Sequence, residues 1–184
     1  MPDLRGVKEF LKDTLGYIIV IIVTILVFVY VFSFHQVIGN SMSPTLNEGD
    51  IAVLSKISHR FFTIKRNDVV AIQTADDKLL VKRIIGLPGE EIHYLDNILY
   101  INGKAYTEEF LNSDVETNNF MFEDICSLSN CPDGVIPDDM YLVLGDNRED
   151  SLDSRDPSLG LVLKSDIIGK SLIRIWPLNK ISKT

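Results

Sequence analysis

Three short segments of this 184-residue chain concentrate the residue types that chemistry needs. The first is Gly39-Asn40-Ser41-Met42-Ser43-Pro44-Thr45-Leu46, two serines in turn-forming company. Alone, Ser-Pro with nearby Gly and Asn reads as an ordinary turn. The second is Leu79-Leu80-Val81-Lys82-Arg83-Ile84-Ile85-Gly86-Leu87-Pro88-Gly89-Glu90. In a strand, Leu80, Lys82 and Ile84 share one face, which flanks the Lys82 ammonium with two large aliphatic side chains. The competing arrangement is a stem laid along apolar surface with its tip in water. The third, Gly145-Asp146-Asn147-Arg148-Glu149-Asp150-Ser151-Leu152-Asp153-Ser154-Arg155, is dense in charge directly after an apolar strand. A calcium loop is the obvious rival there. It fails, because its sixth position would be Ser151 rather than Gly and its twelfth Pro157 rather than Glu.

The elements that must hold these segments begin with an apolar block. From Leu15 to Phe34, 17 of 20 residues are apolar, and no Asp, Glu, Lys or Arg occurs between Asp13 and Glu48. Twenty helical residues span roughly 30 Å, one hydrocarbon core, and a bilayer selects helix even from Val and Ile. A cleaved leader would have a shorter apolar region ending in small residues, which Phe32-Ser33-Phe34-His35 does not supply. Residues 15–34 are therefore expected to be an uncleaved transmembrane anchor. Arg5, Lys8 and Lys12 precede it, which puts the tail 1–14 in the cytoplasm and residues 35–184 outside. A net charge of −8 without a basic stripe excludes nucleic-acid binding.

Beyond the anchor, short apolar runs at Ile51–Leu54, Val69–Thr74, Leu79–Ile85, Ile92–Leu95, Ile98–Ile101, Tyr141–Leu144 and Ile167–Trp176 predict strands. Asp96-Asn97 and Asn102-Gly103 suggest successive hairpins. The expected fold is mainly β: one transmembrane helix, then an antiparallel β domain with a small inserted lobe at about 91–139. Within that lobe, Thr107–Asp139 holds nine acids (Glu108, Glu109, Asp114, Glu116, Glu123, Asp124, Asp133, Asp138, Asp139) and no base. It reads as a solvated loop. Cys126 and Cys131 are either a small-loop disulfide or two free thiols. No histidine stands near them to complete a metal site, so no metal or cofactor is expected.

Taken together and in this order, the segments resemble the bacterial type I signal peptidases, membrane-bound serine proteases with a Ser/Lys dyad. The resemblance covers nearly the whole chain: anchor, Ser-Met-x-Pro-Thr, Gly-Asp-Ile at 49–51, Lys-Arg-x-Ile-Gly-Leu-Pro-Gly, and Gly-Asp-Asn-Arg followed by Ser-x-Asp-Ser-Arg. It implies Ser41 as nucleophile, Lys82 as general base, and Ser151 as a hydrogen-bonding partner that orients the lysine. Asp146, Arg148, Asp153 and Arg155 match charged residues that hold the scaffold, and Met42 and Pro44 match positions that shape the turn. Substrates would be exported preproteins, cut after small residues beside the lipid bilayer of the bacterial cytoplasmic membrane. A dedicated processing peptidase for a surface-fibre subunit and a non-catalytic β domain that binds exported chains are the alternatives.

Physical chemistry sets conditions on such a site. A serine hydroxyl attacks only as its proton leaves, and a lysine takes that proton only when neutral. Moving its pKa down from about 10.4 by the three pH units needed costs roughly 4 kcal/mol, which burial can supply. Nearby acids act the other way, so Arg148 and Arg155 are expected to pair with Asp146 and Asp153. The Ser41 backbone N–H can donate to the developing oxyanion. Some relatives carry a second donor, a serine hydroxyl, where this chain has Gly39. Phe61 and Phe62, among Arg60, Lys65 and Arg66, are either core aromatics or an interfacial contact with the membrane.

Overall fold

Leu4–Val31 form one helix, α1. Its stretch Lys12–Val31 is long and apolar enough to cross a membrane, with mean hydropathy 2.8 and none of it buried against the rest of the chain. Side chains such as Ile19, Val23 and Val27 are exposed along it. The helix ends at Val31, and Phe32 to Gln36 turn to strand (β1) because β2 (Ile51–Ser55) offers them an antiparallel partner. The junction is tied down by Lys56, whose backbone N–H donates to Val31 O at 2.8 Å. The computed structural model describes residues 4–56, 63–112, 114–129, 131 and 134–184. Phe61 and Phe62 lie outside the described residues.

The remaining main strands are β3 (Val69–Gln73), β4 (Leu79–Gly86), β5 (Ile92–Leu95), β6 (Ile98–Ile101), β7 (Lys104–Tyr106), β8 (Met140–Leu144), β9 (Val162–Leu163), β10 (Ile167–Trp176) and β11 (Ser182–Lys183). They build a curled antiparallel sheet in the order β1-β2-β10-β3-β4-β8-β9, with β11 on β10. Between β4 and β8 in the chain, β5, β6 and β7 form a second, three-stranded sheet, followed by the short helix α2 (Phe122–Ser129). Asn97 and Asn102 take positive φ at the two hairpin turns, a conformation asparagine tolerates. Cys126, within α2, is joined to Cys131 as a disulfide, which closes that alternative.

One apolar cluster joins the two sheets: Ile85 of β4 and Leu142 and Leu144 of β8 pack with Ile92, Tyr94, Leu99, Phe122 and Ile125. A second, around Val70, Ile72, Ile84 and Val143, backs the middle of the large sheet. A third, Val37, Met42, Leu46, Ala52 and Val69, sits under the loop that follows β1. Gly86 marks the tightest point of the first cluster. A β-carbon there would stand 2.4 Å from Ile136 Cδ1 and 2.9 Å from Leu142 Cβ. Gly86→Ala is expected to lower unfolding free energy by about 1–3 kcal/mol, read by denaturant titration.

Candidate active site

The loop between β1 and β2 is closed at its base by backbone hydrogen bonds. Val37 N–H donates to Asp50 O (2.8 Å) and Gly49 N–H to Val37 O (3.0 Å). Met42 and Leu46, both buried, pin the loop to the core below. Arg174 of β10 grips its far side, donating to Thr45 O at 2.9 Å and pairing with Asp50 at 3.1 Å. Ser41 sits at the turn of this loop, and Gly39 precedes it with φ +80.

From farther along the same curled sheet, β4 sends Lys82 to this serine. Lys82 is only 2% exposed, and its Nζ lies 2.7 Å from Ser41 Oγ. On the same strand face Ile84 is buried and Leu80 half-buried, so the tip as well as the stem is out of water. Burial pushes the Lys82 pKa down to about 8 from 10.5. Asp153 and Asp146 act against this, Arg155 acts with it, and Asp150 acts against it. Desolvation wins because both nearer acids are neutralised by arginines.

The pairing differs in one respect from the sequence expectation. Asp153 is held by Arg155 through Nε and Nη2 at 2.8 Å each, and it also accepts the Gly145 N–H at 3.0 Å. Burial alone would raise its pKa, but these partners hold the carboxyl below its usual value. Asp146, however, is gripped by Arg83 rather than Arg148, at 2.8 and 2.6 Å, and also accepts the Thr45 hydroxyl. Arg148 turns away to pair with Glu108. The reason is positional: Arg83 follows Lys82 directly on β4 and reaches Asp146 across the sheet, whereas Arg148 is carried toward the second sheet.

Ser151 is half-buried beside the same loop, with its Oγ out of water. Its Oγ is near enough to Asp153 to help hold that carboxylate down, yet it makes no hydrogen bond of good geometry and none to Lys82. It packs instead on Gly145. A β-carbon at Gly145 would stand 2.1 Å from Ser151 Oγ and 2.4 Å from Ser41 O. Asn147 N–H donates to Ser41 O at 3.1 Å, so the loop after β8 carries the backbone of Ser41 directly. Met42 is 1% exposed directly behind the serine. Thus Ser41, Lys82, Asp146, Ser151, Asp153 and Arg155 come together, while Arg148 stands one layer back. Sequence reasoning gave no role to Arg83, Thr45, Glu108 or Arg174. For Arg83 the available signal was a second base inside an apolar strand.

A cleft of about 110 Å³ opens at Ser41, lined mainly by apolar groups including Val37, Ile38, Met42, Leu54 and Leu80, with His35 the titratable exception. Two strand edges border it. Among the described residues, β1 pairs only with β2, and β8 pairs with β4 only from Arg83 onward. The backbone of Leu79–Lys82 therefore keeps one unpaired edge on the cleft.

A family model described as Signal peptidase, peptidase S26, matches residues 8–176. The chain belongs to this family. It is 33% identical to signal peptidase IB of Staphylococcus aureus (strain Mu50) over 180 residues, covering 94% of this chain and 93% of that protein. It is 42% identical to signal peptidase I V of Bacillus subtilis (strain 168) over 146 residues, 76% of this chain and 83% of that protein. A crystal structure of a signal peptidase I from Enterococcus faecalis V583 is 32% identical, with TM-score 0.48, covering 59% of this chain and 96% of that one. Membership of the signal peptidase family makes the chain a peptidase, supports signal-peptide cleavage, and implies exported preproteins as substrates. The apolar helix α1 fits a membrane-anchored member of the family.

Gly145→Ala must displace Ser151 or the backbone of Ser41. Turnover of a preprotein by the full chain is expected to fall about 10- to 100-fold, since small misplacements of reacting groups cost that much. Parent-like turnover in that variant would mean the contact does not position Ser41.

Proposed function

We propose that the chain is a membrane-anchored serine endopeptidase that removes signal peptides from exported preproteins, with Ser41 as nucleophile and Lys82 as general base. The observation that carries this is the 2.7 Å approach of a buried lysine nitrogen to a serine hydroxyl at the end of an apolar cleft. A substrate segment laid along the cleft has the free edges of β1 and of Leu79–Lys82 for backbone hydrogen bonds. The cleft's small volume favours small side chains beside the scissile bond.

In the acylation step the Ser41 hydroxyl donates its proton to the neutral Lys82 amine while Oγ bonds to the scissile carbonyl carbon. The carbonyl electron pair moves to oxygen, where the Ser41 backbone N–H can donate to it; Gly39 has no side chain to add. The Lys82 ammonium then gives the proton to the leaving nitrogen, the C–N bond breaks, and the mature chain departs. Water repeats the sequence on the acyl ester, with Lys82 again taking a proton, and frees the signal peptide's new carboxylate.

The anchor gives this chemistry its address. In the proposed arrangement the tail 1–14 is cytoplasmic, the anchor expected at 15–34 ends with α1 at Val31 because Phe32–Phe34 pair with β2, and 35–184 lies outside with an inserted lobe at about 91–139. Only nine residues separate Val31, the last of α1, from Ser41, at most about 35 Å of extended chain. The nucleophile thereby stays close to the membrane face from which a signal helix would present its end. With a preprotein and the full chain in lipid vesicles, Ser41→Ala is expected to abolish turnover, and Lys82→Ala to lower it about 10²- to 10⁴-fold. Parent-like cleavage by either variant would refute the dyad.

A further inference from the structure

We propose that Glu108, in the acidic segment between β7 and α2, is a positioning residue for the active site and acts through Arg148. This rests on the reading of Ser41 and Lys82 as the reacting pair. The Arg148 side chain is fully buried and that of Glu108 only 6% exposed. Their contact is two-pronged: Nη2 to Oε1 at 2.5 Å and Nη1 to Oε2 at 3.3 Å. Arg148 Nη1 also donates to the Tyr94 hydroxyl (2.7 Å) and Thr117 Oγ1 (3.0 Å). Three groups of the lobe between β4 and β8 therefore fix one guanidinium, and Glu108 is its ion-pair partner among the described residues.

The opposite edge of that guanidinium faces the catalytic loop. Arg148 Nε donates to Gly145 O at 3.0 Å. Gly145 is the residue pressed against Ser41 O and Ser151, and Asn147, beside Arg148, holds Ser41 O by its N–H. The orientation of Arg148 thus sets the stretch from Gly145 to Asn147, which in turn sets the backbone of Ser41. Without Glu108 the buried guanidinium loses its ion-pair partner among the described residues, and the two buried acids of the site are already taken, Asp146 by Arg83 and Asp153 by Arg155. The same segment covers the second arginine of the network, with the Phe110 ring 4.2 Å from the Arg83 guanidinium. Charge on Glu108 therefore does more than solvate a loop: it keeps Arg148 from competing for the acids around Lys82.

The test separates positioning from stability. Removing both members of a buried ion pair in favour of apolar groups commonly leaves a fold intact, whereas removing one does not. The full chain in detergent micelles is assayed as parent, Glu108→Gln, Glu109→Gln, and the double variant Glu108→Leu with Arg148→Met, using a preprotein substrate. Melting curves give the folded fraction of each. The double variant is expected to melt like the parent yet lose about 10- to 100-fold in kcat, with KM changed less than about twofold. Glu108→Gln is expected to lose kcat in the same sense per folded molecule, and the exposed neighbour variant Glu109→Gln to match the parent. A folded double variant, or a folded Glu108→Gln, with parent kcat would overturn the proposal. A Ser41→Ala arm run beside them distinguishes the two levels: turnover there would sink the dyad itself, while a dead Ser41→Ala with an active double variant would sink only the role of Glu108.

Discussion

The burial of one amine against one hydroxyl is the constraint on which the rest of the structure depends. Lys82 is charged in water at neutral pH, and only loss of solvent brings its pKa to about 8. The same displacement has a thermodynamic consequence. Between about pH 8 and 10.5 the unfolded chain holds the Lys82 proton that the folded chain has released, so the contribution of this group to stability rises with pH across that window. At lower pH the fold carries a buried ammonium, and the surrounding acids keep that tolerable. The site thus balances two opposing demands on one nitrogen.

That balance explains the density of charge in the loop after β8. Carboxylates near Lys82 raise its pKa, so the two that act most strongly, Asp153 and Asp146, must be occupied. Arg155 holds Asp153, and Arg83 holds Asp146, with the Arg83 and Asp146 side chains 5% and 1% exposed. Buried ion pairs of this kind contribute little net stability, but breaking one is costly, which makes them rigid supports for the loops they join. They join what the chain separates: Arg83 and Asp146 are 63 residues apart, and Arg148 and Glu108 are 40 apart.

The sequence made the strands readable where apolar runs were bounded by turn residues. Ile92–Leu95 and Ile98–Ile101 form as expected around Asp96-Asn97. It concealed β1, because its first residues, Phe32–Phe34, belong to the hydrophobic block and only pairing with β2 makes Phe32–Gln36 strand. It also concealed α2, whose eight residues are too few to display a helical period. Ser41 and Lys82 stood out through ordered motifs, and the fold brings them to 2.7 Å. The choice of ion-pair partners was not legible. Asp146 prefers Arg83 over the nearer-in-sequence Arg148 because of strand register, which no local pattern encodes. Likewise an acid-rich segment looks solvated in sequence, and only the fold singles out Glu108 for burial.

Burial is what makes the Lys82 amine available as a base at a pH near neutrality. Heteronuclear NMR of the full chain in micelles, with lysines labelled at Cε and Nζ and Lys82 assigned by comparison with Lys82→Met, measures that directly. One lysine is expected to titrate at about 8, and its signal to disappear in the variant. A Lys82 titration at the ordinary lysine value of about 10.5 would contradict it.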